Sequence, residues 1–328
     1  MTKKCLGCGI TLQNTDPQKQ GYTKSLDMDY CMRCFRLIHY REFAKLPVTY
    51  DEENILAFIK KKKGFVFYFV DFLNICEETL EYYHRISSPK MLIISKSDII
   101  PESVYLKKIE NWLKNMFHVE ESILFVSQKS KSAKKKILEI METKNESRFY
   151  FLGITNAGKS TFLNGLLDML EEENRHIAVS EMPDTTLDFI EIKLSFGTIY
   201  DSQGFSYHYL DTEDDLIRRA NNKKEIKPVT YQMKETESLI LENLIRLNSS
   251  EKNSITFFGS ANLNLKKVYE NNIRLKNGYQ ITVDVPNNSQ LVLKGIGFFY
   301  IKHACTLTMY GVSKQDYEVI PSFMGESI

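Results

Sequence analysis

Three features of the 328-residue chain predict an α/β fold with a largely parallel sheet, preceded by a small cysteine-rich module and followed by a separate domain of α+β type. Short apolar runs alternate with helical stretches through the middle of the chain. The octapeptide GITNAGKS, residues 153–160, lies between one such run and a helix and fits the pattern G-x-x-x-x-G-K-S. Two Cys-x-x-Cys pairs stand ahead of both, Cys5 with Cys8 and Cys31 with Cys34.

Residues 1–47 form the first domain, with polar, turn-forming sequence (QNTDPQKQGYTKS) between the two cysteine pairs. Two residues between thiolates let both sulfurs face one ion, and the spacing over residues 9–30 suits a tetrahedral four-sulfur site of Cys5, Cys8, Cys31 and Cys34. So few large apolar residues would not hold a module together without metal. Redox pairs are the other reading of Cys-x-x-Cys, but those normally occur singly on a thioredoxin-like helix, which favours zinc. Cys76 and Cys305 stand alone in or beside apolar stretches, so the cysteines do not read as a disulfide framework.

The second domain, residues 48–210, carries the alternation. GFVFYFVDF (64–72), KMLIISKSD, SILFVSQ and RFYFLG read as strands, while SVYLKKIENWLKNMF, SAKKKILEIME and STFLNGLLDML read as helices. Strands separated by helices of that length imply a parallel sheet with crossover connections. LDFIEIKL and GTIYDSQG follow each other closely and are expected to pair as an antiparallel hairpin at the sheet's edge. In residues 211–328 a charged, Asn-rich stretch leads to strand-like NSITFFGS, YQITVDV and SQLVLKGIGFFYIKHA, with KETESLILENLIRL as a helix candidate.

Composition excludes little but bounds the partners. With 43 Lys and Arg against 42 Asp and Glu, the net charge of +1 supplies no global field for a nucleic acid or a membrane. The longest apolar runs, such as FVFYFV, fall far short of the roughly 20 residues a spanning helix needs. A cytoplasmic protein without membrane attachment, and a monomer, is the expectation.

The loop at 153–160 follows a strand and opens a helix, the context that makes this pattern a phosphate-binding loop. Its backbone N–H groups over Asn156, Ala157, Gly158, Lys159, Ser160 and Thr161 can cradle phosphates, with Lys159 reaching the β and γ oxygens and Ser160 holding Mg²⁺. Ser95 to Asp98, in IISKSD, resembles the Asn-Lys-x-Asp loop that reads guanine. Asp98 can accept from both the ring N–H and the exocyclic amine of guanine, a donor pair that adenine lacks, and Lys96 can lay its stem over the base. Ser127, Gln128 and Lys129 resemble the Ser-Ala-Lys element that backs the base. Asp201 to Gly204 resembles Asp-x-Pro-Gly, with Asp201 holding Mg²⁺ through water, Gly204 N–H facing the γ-phosphate and Gln203 in the place of Pro. Thr185 and Thr186 resemble the switch threonine that binds Mg²⁺, Thr186 being favoured by its spacing.

These elements run base loop, Ser-Gln-Lys, phosphate loop, switch threonine, Asp-x-x-Gly. A standard G domain begins with the phosphate loop, so this chain reads as a circularly permuted P-loop G domain, cut after the second switch. Permutation keeps a core intact where the old ends lie close and the new cut falls in an exposed connection.

With CLGCG, YCMRCF, GITNAGKSTFLN, PDTTLDFIEI, YDSQGF and KEIKP, the chain resembles the YqeH family of circularly permuted GTPases over nearly its whole length. The resemblance implies GTP and GDP as ligands, a role in small ribosomal subunit assembly and ribosomal RNA or proteins as partners. It also implies that Asn156 helps hold a K⁺ ion, and it assigns catalysis to Lys159, Asn156, Thr186 and Gly204. Ser95, Asp184 and Gln203 depart from the Asn, Gly and Pro usual in the family. Phe205 follows Gly204, where a water-orienting glutamine stands in Ras-like enzymes, so intrinsic hydrolysis is expected to be slow. A rival reading follows from those departures: a zinc protein that binds RNA or protein and senses nucleotide with little turnover. For RNA contact in either reading, Arg33, Arg36 and Arg41 of the cysteine module are better candidates than the lysine runs 59–64 and 129–136.

Overall fold

The computed structural model describes residues 3, 5, 11–16, 21–32, 52–102, 104–127, 130–172, 178–181, 189–202, 204–208, 216, 220, 226, 228–269 and 280–324. Cys8, Cys34, Gln128, Lys129, Asp184, Thr185, Thr186, Gln203 and the three arginines of the first domain lie outside them.

Seven strands form the first sheet: β1 (Phe65–Asp71), β2 (Lys90–Ser95), β3 (Ile123–Phe125), β4 (Arg148–Gly153), β5 (Ala178–Glu181), β6 (Ile190–Leu194) and β7 (Gly197–Asp201), in the order β3-β2-β1-β4-β7-β6-β5. β1 runs parallel to β4, from Phe65 opposite Phe149 to Phe69 opposite Gly153, and β4 runs parallel to β7. Every residue of β1 is buried, as expected of a strand covered on both faces. β6 and β7 do pair antiparallel, but β7 is an interior strand; the edge belongs to β5, which pairs with β6. β5 was not legible beforehand because four residues, AVSE, are too short to show a period.

Among the described residues, five helices accompany the sheet: α1 (Glu52–Lys62), α2 (Glu77–Arg85), α3 (Leu106–Phe117), α4 (Lys131–Thr143) and α5 (Lys159–Glu172). In α3 the buried residues are Ile109, Trp112, Leu113 and Phe117, the spacing of one helical face. Ser130 caps α4 by accepting from Ala133 N–H at 3.2 Å. Glu52 and Glu53 open α1 and Lys60, Lys61 and Lys62 close it, so this lysine run complements the helix dipole. Among the described residues, no helix is long and apolar enough to cross a membrane.

From Val229 onward the described elements are strands: β8 (Val229–Met233), β9 (Ser238–Leu241), β10 (Ile245–Ser249), β11 (Asn253–Gly259), β12 (Leu265–Val268), β13 (Gln280–Val285), β14 (Ser289–Leu293), β15 (Gly297–Ile301), β16 (Cys305–Tyr310) and β17 (Tyr317–Pro321). They make two antiparallel sheets, β12-β9-β10-β16-β13 and β17-β14-β15-β11-β8. Leu239, Leu247 and Met309 of one sheet share a core with Ile255, Leu291 and Phe299 of the other. The helix expected over 234–247 is instead the β9–β10 hairpin. Glu242 and Asn243 turn the chain at φ 55° and 57°, and Leu241 comes to lie opposite Ile245. The helix formers Glu and Leu lost there to the burial of all four residues of β9 between two neighbours.

By compactness the chain divides into two units. One comprises Met1–Phe69, Tyr83–Ile93 and Val126–Phe205, and the other Val70–Tyr82, Ile94–Phe125 and Ser206–Ile328.

Candidate nucleotide site

In the first unit, β4 ends at Gly153 because nothing larger fits. A Cβ there would sit 2.3 Å from the Phe69 carbonyl oxygen, and φ is 152°. The chain then turns through Asn156 at φ 66° and Gly158 at φ 79° before α5 starts at Lys159. A Cβ on Gly158 would meet nothing within 4 Å, so backbone conformation and an open approach, not crowding, call for glycine there. The first N–H groups of α5 have no partner within their own helix and carry the positive end of its dipole, which makes the turn suited to an anion.

Lys159 is buried, and its ammonium donates to Asp201 Oδ1 and to the Ser202 carbonyl. Asp201, the last residue of β7, is buried as well. Burial pushes its carboxyl above the usual carboxylate range, while the Lys159 ammonium acts in the opposite sense. Gly204 lies against the phosphate loop: a Cβ would stand 2.8 Å from Thr155 Cα and 2.9 Å from Thr155 N. Phe205 fastens the same contact, donating its N–H to the Gly153 carbonyl at 2.8 Å and accepting from Thr155 N–H at 2.8 Å. Its ring is fully buried, with its centroid 6.2 Å from that of Tyr68. The phosphate loop and the Asp-x-x-Gly element are therefore joined through Lys159–Asp201, Gly204–Thr155 and Phe205–Gly153.

In the second unit, Asp98 is exposed on the 3-10 turn Ser97–Ile99, which buried Ile99 anchors and in which Ile99 N–H donates to the Lys96 carbonyl at 3.0 Å. Lys96 has left-handed backbone geometry, φ 57°, and its ammonium lies 2.5 Å from Asp71 Oδ2. Buried Ser95 donates its hydroxyl to the Val70 carbonyl at 3.2 Å. Asp71 was not singled out in the sequence, where it falls within the strand-like run GFVFYFVDF. In the first unit, Ser127 is buried, and its carbonyl accepts from Ser130 N–H at 3.3 Å.

Two of the four expected zinc ligands are described. Cys5 and Cys31 are both buried, and Cys31 N–H donates to Cys5 Sγ at 3.3 Å. They share with Leu12 a core of three buried residues, against which Tyr30 packs. Among the described residues no group of three or more metal-ligating side chains comes together.

Residues 148–259 match the protein family described as 50S ribosome-binding GTPase. The chain is 24% identical over 317 residues to a putative nitric oxide synthase of Oryza sativa subsp. japonica, covering 80% of this chain and 58% of that one. Among solved structures, YjeQ from Thermotoga maritima aligns at 18% identity and a TM-score of 0.31, over 44% of this chain and 49% of its own. YqeH of Bacillus subtilis (strain 168) is 30% identical over 264 residues, which cover 74% of this chain and 71% of YqeH. At that identity over most of both chains, and with its phosphate loop joined to its Asp-x-x-Gly element, the chain belongs to the YqeH family of circularly permuted GTPases.

Proposed function

We propose that the chain binds and hydrolyses GTP as an assembly factor of the small ribosomal subunit, with GDP and GTP forms that differ in the second switch. The observation that carries this reading is the meeting of Lys159 with Asp201, two residues that GTP chemistry requires together and that lie at the ends of different elements. Lys96 and Asp98 take the guanine, backed by Ser127, Gln128 and Lys129. Residues 156–161 take the phosphates, and Lys159 offsets charge on the β and γ oxygens. Ser160, Thr186 and Asp201 would hold Mg²⁺, which would supply Lewis-acid stabilisation of the phosphate charge. Gly204 N–H faces the γ-phosphate, and its close fit against Thr155 leaves little slack in that placement.

Asn156 is exposed on the phosphate loop and is the residue that would hold K⁺. Hydrolysis is expected to run faster in K⁺ than in Na⁺ and to lose that difference in Asn156→Ala; equal rates in both salts remove the ion from the mechanism. Zinc, held by Cys5, Cys8, Cys31 and Cys34, stabilises the first domain, residues 1–47. Residues 48–210 form the G domain. Residues 211–328 form the domain that, with the zinc module, meets ribosomal RNA or protein.

Phe205 favours a second reading, a nucleotide sensor with little turnover, because its ring is buried and offers no hydrogen bond to water. A turnover assay with GTP and ATP separates the two: steady GTP hydrolysis, absent with ATP and absent in Lys159→Ala, supports the enzyme. Sedimentation with a non-hydrolysable GTP analogue tests the partner. Co-migration with 30S particles is expected, and co-migration with 50S particles instead would contradict the small-subunit assignment.

A further inference from the structure

Asparagine normally opens the guanine-reading loop, and Ser95 is too short to do its work. Its hydroxyl only ties the start of the loop to β1, through the Val70 carbonyl. The rest of the support comes from elsewhere. The Lys96 ammonium lies on Asp71 Oδ2 at 2.5 Å. Asp71 is held in turn, Oδ1 accepting from Leu73 N–H at 3.0 Å and Oδ2 from the Asn74 side-chain amide at 3.2 Å. Asn74 is buried, and its Oδ1 accepts from Gly295 N–H at 2.7 Å. Gly295 sits at φ 82° in the turn between β14 and β15. Its neighbour Lys294 is ion-paired with Glu78 and Glu318, which fixes that turn against the start of α2.

The direction of this chain of contacts is set by chemistry. Gly295 can only donate, so the oxygen of Asn74 faces it and the amide nitrogen must face the carboxylate of Asp71. That leaves Asp71 as a buried acceptor with a fixed position for one ammonium. Lysine has a flexible stem and a compact charge, so laying the stem on a purine face loses rotamer freedom unless the ammonium is already anchored. Anchoring before the base arrives converts that loss into affinity.

We propose that Asp71 and Asn74 are positioning residues for guanine recognition, and that the β14–β15 turn, through Gly295 N–H, braces the loop where Ser95 has replaced the usual Asn. The proposal rests on Lys96 and Asp98 reading guanine.

The test is equilibrium titration of the full chain with GDP, ADP and tripolyphosphate. Asn74→Ala is expected to weaken GDP about tenfold, as removal of an outer-layer partner does elsewhere, with tripolyphosphate affinity kept within about twofold. Asn74→Asp keeps the shape of the side chain and the acceptor for Gly295 while removing the donor to Asp71, and is expected to show the same selective loss. In Lys96→Met the Asn74→Ala change should add nothing further, because it acts through Lys96. Adding Ser95→Asn to Asn74→Ala should restore GDP binding. Unchanged GDP affinity in both Asn74 variants, equal losses for GDP and tripolyphosphate, or full additivity with Lys96→Met would overturn the proposal. Equal binding of GDP and ADP by the unmodified chain would instead overturn the guanine reading beneath it.

Discussion

Gly204 has no side chain, yet the space it leaves is what lets the Asp-x-x-Gly element touch the phosphate loop at Thr155. Gly204→Ala must push the two segments apart, which is expected to cost about 1–3 kcal/mol of stability and to lower GTP turnover about 100-fold through misplacement of the γ-phosphate contact. Thermal unfolding and a turnover assay check both. Cys76 gives a second expectation. Burial, with the Glu318 carboxylate adding to it, pushes its thiol up to about 12, so at pH 8 it is almost wholly protonated. Iodoacetamide at that pH should leave Cys76 unlabelled in the folded chain, by peptide mass spectrometry, and label it after unfolding. The meeting of Lys159 with Asp201 was legible in the sequence because a G-x-x-x-x-G-K-S loop and an Asp-x-x-Gly element each have fixed residue types at fixed spacing. Asp71 and Asn74 were not, since their partners Lys96 and Gly295 lie far along the chain and nothing local marks the contact.

The parallel strands were legible for a related reason. β1, β4 and the end of β2 are continuous apolar runs between helical stretches, a pattern that buried α/β strands and few other elements produce. The β9–β10 hairpin was not legible, because ESLILENLIRL offers apolar residues at helical spacing and good helix formers between them. What decides it is the turn: Glu242 and Asn243 are left-handed, and Leu244 N–H donates to the Leu241 carbonyl at 3.0 Å. Asn243 is exposed, so its substitution reports backbone conformation alone. Asn243→Val is expected to destabilise the C-terminal sheets by about 1–2 kcal/mol, whereas Asn243→Gly should be neutral or stabilising. Urea unfolding measures the difference, and equal stability of the two variants would argue against the turn.

Permutation places the second switch ahead of the segment that leads to the C-terminal sheets, and the residues just after it are held on both sides. His208 N–H donates to Glu78 at 2.6 Å, and the His208 ring nitrogen Nε2 lies 2.8 Å from Asp316 Oδ1. Ordering of Asp201 to Gly204 by a γ-phosphate is therefore expected to slow hydrogen exchange over residues 205–240 in the presence of a non-hydrolysable GTP analogue relative to GDP. Identical exchange in both would separate the switch from the C-terminal domain. The proposed function depends on Asp98 accepting from guanine and on Lys159 meeting the phosphates. Xanthine presents a carbonyl where guanine presents its amine, so exchanging the Asp98 acceptor for an amide donor should exchange the preferred base. The most direct measurement is a titration of the unmodified chain and of Asp98→Asn with GDP and XDP. Reversal of preference from GDP to XDP, with both ligands lost in Lys159→Ala, is the predicted result; a GDP-to-XDP ratio unmoved by Asp98→Asn would contradict it.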